Sequence, residues 1–356
     1  MVLLFYPMNR RNFAKLAALS SLSFGSKKLP AGHQRSAWTL PFSVHLFSKH
    51  LQFLDYKTLA KVTADLGYDG LDLTVRPGGH VEPENVEKDL PDAIEAMANA
   101  GLLSIMMTTR VTNATDEVNR RVLNTAADQG IQFYRMGYYK FDDQKSWKEN
   151  LDAHRVDMEG LGELNKEHGL HGAYQNHAGN YVGAYIPDII YLLEGLDPKW
   201  SGCQFDIRHA SVEGGKAWPK GVEWLKNYLS TIVIKDFTWA KHPKTGKWEV
   251  MNTPLGEGMV DFVGYFKLLR KLNIHPVATM HAEYDLGGAN HGDRELKISK
   301  RQVYKALRKD LYPAARSVDR RIVAAFRRWL FRRSLSRPIG HCHDPLLQPG
   351  QRWHGG

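Results

Sequence analysis

Between residues 42 and 310 one unit recurs: a helical stretch closes near a glycine and a short apolar run follows at once. The junctions read LGYDGLDLTV (66–75), AGLLSIMMTT (100–109), QGIQFYRMGYY (129–139) and HGLHGAYQNH (168–177). Glycine after a helix supplies the left-handed closing residue. A bounded run of four to eight apolar residues reads as a strand buried on both faces. FSVHLF (42–47), GCQFDI (202–207), TIVIKDF (231–237) and PVATMHAEY (276–284) complete a set of eight. Helical patterns lie between them, at 55–66, 86–100, 115–129, 144–168, 186–195, 219–228, 261–272 and 298–309. Strand alternating with helix eight times over about 270 residues predicts an α/β fold, the (β/α)8 TIM barrel. A doubly wound open sheet is the competing arrangement, but no glycine-rich phosphate fingerprint follows any strand.

The chain has 356 residues, 43% of them hydrophobic, which is enough for a large core. The net charge of +10 suggests nucleic acid only until it is located. From Tyr312 onward nine arginines face two aspartates, so +7 belongs to the last 45 residues and +3 to the rest. Two cysteines, Cys203 and Cys342, imply no disulfide framework. No stretch approaches the ~20 apolar residues of a spanning helix. From Met8, the pair Arg10-Arg11, then Phe13, Lys15 and a mildly apolar run resemble a twin-arginine export signal. A short basic amphipathic helix is the plainer reading. The expected organisation is a signal and linker over 1–38, a barrel over 39–310 and a basic tail over 311–356. That tail is either a surface appendage or a sequence unrelated to the barrel. The signal implies export to a bacterial periplasm. WAKHPKTGKWEV (239–250) reads as a small hairpin or excursion, and Gly256-x-Gly258 as turn residues before a helix capped near Asp261.

In a barrel of this kind the C-terminal strand ends make the active site. Polar residues collect there: Lys49 and His50; Asp72, Arg76 and His80; Thr108 and Arg110; Arg135 and Tyr138; Gln175 and His177; Asp206 and His209; Lys235 and Asp236; His281 and Glu283. Each alone reads as a satisfied loop residue or a surface ion-pair partner. Ionisable groups at the tails of apolar strands are costly to bury unpaired, so their recurrence on eight strands predicts a polar pocket. Asp206 and Glu283, with the Asp-x-x-His of Asp206 and His209, can converge on one cation. Carboxylate, imidazole and amide oxygen suit Mn, Mg, Co or Zn.

GYDGLDLTVRPGGHV, YQNHAGNYVG, CQFDIRHA, VIKDF, PLGEGMVDF and HAEYDLGGANHG resemble the xylose-isomerase-like TIM barrel superfamily, the sugar phosphate isomerase/epimerase group, across roughly residues 40–300. The resemblance implies a divalent-metal site. The family often places Glu-Asn-His at the end of strand five, where this chain has Gln175. The strand-six Asp and the His after it are matched by Asp206 and His209, and the strand-eight Glu by Glu283. The usual strand-seven His is Val233 here. The metal set is thus Asp206, Glu283, Gln175 and His209. In the family's epimerases the strand-five and strand-eight carboxylates shuttle a proton beside a carbonyl. Gln175 cannot act as a base, so the catalytic set becomes Glu283 with Lys235 or His177. His50, Arg76, His80, Arg110, Arg135, His209 and Asp236 are the substrate-binding candidates.

The expected function is metal-assisted isomerisation, epimerisation or dehydration of a small-molecule carbohydrate, without nucleic acid, by a monomer or homo-oligomer. A non-catalytic carbohydrate-binding barrel with a degenerate metal site is the alternative. A DNA-repair phosphodiesterase needs more histidine ligands and a basic barrel face, which the near-neutral 1–311 segment lacks.

Overall fold

The helices stop at defined chemical signals, and those stops set where the barrel strands begin. In the computed structural model, which describes residues 43–311, helix α1 (Tyr56–Leu66) opens on Asp55, whose carboxylate accepts the Thr58 N–H at 2.9 Å. It closes on Gly67 at φ 98°, a conformation a Cβ disfavours. Helix α4 (Trp147–His168) starts with a reciprocal Ser146/Glu149 capping box and ends on Gly169 at φ 72°. The other helices are α2 (Val86–Asn99), α3 (Glu117–Asp128), α5 (Ile186–Leu193), α6 (Ile207–Gly214), α7 (Trp218–Trp224), α8 (Phe262–Lys271) and α9 (Lys300–Leu311).

Eight parallel strands close into one ring. They are β1 (Val44–Phe47), β2 (Gly70–Thr74), β3 (Leu103–Thr108), β4 (Phe133–Arg135), β5 (His171–Gln175), β6 (Ser201–Asp206), β7 (Leu229–Ile234) and β10 (Val277–Met280). Their order is β1-β10-β7-β6-β5-β4-β3-β2, with β1 registered on both β10 (Leu46 beside Met280) and β2 (Leu46 beside Leu71). This is the expected (β/α)8 barrel. Its wall and the helices' inner faces share a continuous apolar core that includes Leu46, Leu71, Leu73, Met107, Phe205, Ile232 and Ile234.

Three local differences from the sequence expectation matter. The 129–139 run yields only a three-residue strand, β4, and then loop. The 231–237 run breaks at Lys235: β7 ends at Ile234, and an antiparallel hairpin, β8 (Asp236–Lys241) with β9 (Trp248–Thr253), leaves the barrel. Third, the chain passes from β6 directly into α6, because Asp206 caps that helix by accepting the His209 N–H at 3.1 Å. The paired-arginine segment and the basic tail lie outside the described residues. No helix among the described residues is long and apolar enough to cross a membrane.

At the opposite rim, close packing depends on a missing side chain. A Cβ on Gly202 would lie 2.4 Å from His171 Nε2 and 2.5 Å from the Tyr228 carbonyl oxygen. Gly202→Ala is expected to destabilise the barrel by about 1–3 kcal/mol, the usual cost of overpacking. Urea denaturation followed by circular dichroism checks this, and an unchanged midpoint would contradict the packing described.

Candidate functional site

Every charged group that faces the mouth comes from the C-terminal end of a barrel strand. Lys49 sits in the 3-10 turn Ser48–Leu51 that follows β1. Arg135, Gln175 and Asp206 are the last residues of β4, β5 and β6, Lys235 follows β7, and His281 and Glu283 follow β10. A cavity of about 190 Å³ is lined by Phe47, Lys49, Arg76, Arg135, Tyr138, Gln175, His177, Lys235, His281 and Glu283. That volume lies below the ~300–1,000 Å³ of ordinary ligand clefts, which limits the cavity to a small molecule. A wider depression of about 410 Å³ outside the barrel, with Arg120, Glu163, Lys166 and Glu167 on its walls, gathers none of the strand-end residues.

The ammonium group of Lys235 stands at the centre. Its Nζ lies 3.1 Å from Asp206 Oδ2, 3.0 Å from Glu283 Oε2 and 2.7 Å from His209 Nε2, and it is almost fully buried. A second ammonium, that of Lys49, bonds Glu283 Oε1 at 2.7 Å. Burial works to raise the Glu283 pKa, but the two lysines outweigh it and hold this carboxyl well below its usual range. For Asp206 the balance is reversed: burial dominates and raises it despite Lys235. Desolvation opposes the charge on Lys235, yet Asp206 and Glu283 together keep its pKa above normal. The cluster therefore holds Lys235 protonated and Glu283 ionised.

Around this core the polar groups form an ordered ring. Gln175 Nε2 donates to Asp206 Oδ2 at 2.8 Å. Its Oε1 accepts from Tyr138 Oη at 2.6 Å and Arg135 at 3.3 Å. Arginine can only donate, so the amide oxygen must face that side. Asn176 ties the ends of β5 and β6 together, its amide bonding both the Asp206 N–H and the Asp206 carbonyl. His177 donates from Nδ1 to the Ala178 carbonyl at 2.8 Å, which leaves Nε2 as an acceptor at the mouth. Burial and Lys235 lower its pKa to about 4, so the ring is neutral. His281 stacks on Phe47 at 4.2 Å.

Of the residues expected from sequence, Glu283, Lys235, His177, Arg76, Arg135 and Gln175 line the cavity, and Asp206 and His209 support it from behind. Four others lie elsewhere. Both oxygens of Asp236 are taken by the amides of Phe237, Gly256, Gly258 and Val260, so it fastens a loop. His80 bonds Ser48, Thr74 and the Leu51 carbonyl. His50 accepts the Ala282 N–H in the buried floor. Arg110 is exposed and does not line the cavity. Lys49, Tyr138 and His281 belong to the cavity although the residue-by-residue assignment from sequence did not include them. The signal for Lys49 was a second cation placed opposite a single strand-eight carboxylate.

The donor set can be tested against a divalent cation. Asp206 Oδ2 and both Glu283 oxygens already face nitrogen donors. The Gln175 oxygen points to Arg135 and Tyr138. Donors meet both ring nitrogens of His209, the Ala178 N–H at Nδ1 (3.0 Å) and the Lys235 ammonium at Nε2 (2.7 Å), so the one lone pair of the neutral ring is not free. Among the described residues no group of three or more His, Cys, Asp or Glu side chains is arranged to hold a metal. As placed, these residues do not fit a divalent ion, because an ammonium stands where its charge would go.

With this geometry in hand, the comparisons are consistent. The sequence profile of the xylose isomerase-like TIM barrel family matches residues 60–300, and the chain belongs to that family. No curated protein matches. Solved structures share the fold at low identity. A 3-keto-D-glucoside 4-epimerase from E. coli is 13% identical, with a TM-score of 0.55 over 76% of this chain and 97% of that one. A D-allulose 3-epimerase from Methylomonas sp. is 14% identical, with a TM-score of 0.57 over 77% and 97%. A xylose isomerase-like protein from Mycobacterium smegmatis, in complex with magnesium, is 14% identical, with a TM-score of 0.54 over 78% and 99%.

Two outcomes are expected. Lys235→Met leaves Asp206 buried without its cation and Glu283 paired with Lys49 alone, and costs about 3–5 kcal/mol. Mn²⁺ should restore part of that loss in the variant, whereas the wild type should melt at one temperature with Mn²⁺ or chelator; a Mn²⁺-stabilised wild type would show that the cation position is open. Burial raises Asp72, which accepts from Thr108 at 2.8 Å, to about 6 from 3.8. A raised carboxyl favours folding below its unfolded value, and that contribution disappears as pH climbs past about 6. Asp72→Asn should therefore gain up to about 3 kcal/mol over wild type at pH 8 and little at pH 4, as denaturant midpoints at both pH values will show.

Proposed function

We propose that this chain is a sugar isomerase/epimerase-like enzyme that moves a proton on the carbon beside a carbonyl of a sugar or polyol. The observation that carries this reading is the ionised Glu283 carboxylate, half-buried at the cavity wall between the ammonium groups of Lys49 and Lys235. The family membership and the sugar epimerases among proteins of this fold support it.

The chemistry follows from the donors present. While both lysines bond Glu283, its basicity is low. A carbonyl oxygen that accepts a hydrogen bond from one of them frees a carboxylate oxygen, which raises the proton affinity of Glu283 where the substrate C–H lies. Transfer of that proton to Glu283 leaves an enolate, and the same ammonium faces the developing oxygen charge in a dry pocket where electrostatic stabilisation is strong. His177 Nε2, neutral and unprotonated, accepts from a substrate hydroxyl. Return of the proton to the neighbouring carbon, with the hydroxyl proton passed through His177 to the former carbonyl oxygen, completes isomerisation. Epimerisation takes a proton from a second acid on the opposite face of the same carbon, and the lysine ammonium groups are the donors present. No step in this sequence passes through a metal ion.

The amide at 175 and the full pairing of Glu283 favour a second reading, a barrel that binds carbohydrate without turnover. One experiment separates the two. In D₂O, the wild type should wash deuterium into the α-carbon of a keto-sugar, read by proton NMR. Glu283→Gln should slow this by about 10²-fold or more. Saturable sugar binding with no exchange in the wild type would leave the binding reading standing and remove the enzymatic one.

A further inference from the structure

The cavity carries more positive charge than its own carboxylates take up. Four cations line it, Lys49, Arg76, Arg135 and Lys235, against the single lining carboxylate Glu283. The lysines are accounted for: Lys49 bonds Glu283, and Lys235 bonds Glu283 and Asp206. The two guanidinium groups are not. Arg135 donates only to neutral acceptors, the Tyr138 hydroxyl, the Gln175 amide oxygen and the Thr109 carbonyl. It is 4% exposed, and its Nε has no hydrogen-bond partner. Arg76 makes no hydrogen bond or ion pair among the described residues. It rests over the Phe47 ring at 5.5 Å, half-buried at the cavity wall. Asp72 attracts both guanidinium groups without bonding or ion-pairing with either; its carboxyl accepts from Thr108 at 2.8 Å and lies 4.0 Å from His281 Nε2.

A guanidinium withdrawn from water without an acceptor is costly unless a ligand supplies one. Its planar fork of donors matches carboxylate and phosphate oxygens. Phe47 fixes the side chain from one side and leaves those donors free. We propose that Arg76 is an anion anchor and that the substrate is a carbohydrate bearing a fixed negative charge, either the carboxylate of a sugar acid or the phosphate of a sugar phosphate. The inference rests on reading the cavity as a carbohydrate site and adds the charge of the ligand. Arg135 lends long-range attraction to the same anion, while Lys49 and Lys235 stay with the reacting carbonyl. An anion held by Arg76 and a carbonyl held by the lysines together fix the orientation in which the sugar enters.

The test is calorimetric titration of the full chain with D-glucose, D-glucuronate and D-glucose 6-phosphate, and with acetate and inorganic phosphate alone. One charged sugar should bind about ten- to a hundredfold more tightly than D-glucose, the range of a charge-assisted hydrogen bond. Which of the two does so distinguishes carboxylate from phosphate. Arg76→Gln should abolish that advantage, bringing the charged sugar to the affinity of D-glucose for the same variant; Arg76→Lys, which keeps the charge but not the fork, should retain part of it. Equal binding of neutral and charged sugars overturns this inference and leaves the carbohydrate reading intact. Binding of acetate or phosphate that depends on Arg76, with no sugar bound, supports the anchor and removes the carbohydrate reading. No preference for any anion in the wild type overturns the anchor outright.

Discussion

The ion triad of Asp206, Lys235 and Glu283 organises the mouth of the barrel. The two carboxylates, Asp206 fully buried and Glu283 half-buried beyond the end of β10, repel each other, and Asp206 does not tolerate burial alone. A single ammonium at 3.1 and 3.0 Å from them resolves both problems. The neighbouring groups take positions compatible with it. The Gln175 amide turns its NH₂ to the remaining lone pairs of Asp206, and its oxygen is received by Tyr138 and Arg135. Lys49 covers the other Glu283 oxygen. The break after β7 belongs to the same device. Lys235 stands between the barrel strand and the hairpin, so its side chain reaches the mouth from the position just past the strand.

The barrel was legible because its strands announce themselves twice, by apolar runs and by the glycines that end the preceding helices. Boundaries failed where one residue serves two elements. Asp206 looked like the end of a strand, and it is also the cap of α6; a cap and a strand terminus carry the same sequence mark. Lys235-Asp236 looked like the continuation of a buried strand, since a run of Thr, Ile and Val gives no warning of a turn.

At the site, convergence could be foreseen because barrel topology brings strand ends together, but occupancy could not. Asp236 shows why: Gly256 and Gly258 allow loop amides to close on its carboxylate, and that loop is twenty residues away in the chain. His80 was likewise absorbed by Ser48 and Thr74. A charge total also misleads at this scale. The segment before the basic tail is nearly neutral, yet its cavity is cationic because four cations and a single carboxylate line it. Net charge describes a surface average; ligand selection follows the few groups that share a cavity.

The double duty of Asp206 bears on how such a barrel can diversify. One of its oxygens starts a helix while the other holds an ammonium, so replacing it perturbs architecture and reactivity at once. Gln175, Lys49 and Arg76 carry no comparable scaffolding task. Exchanging those rim side chains alters what the cup recognises while the turn from β6 into α6, which Asp206 caps, stays as it is.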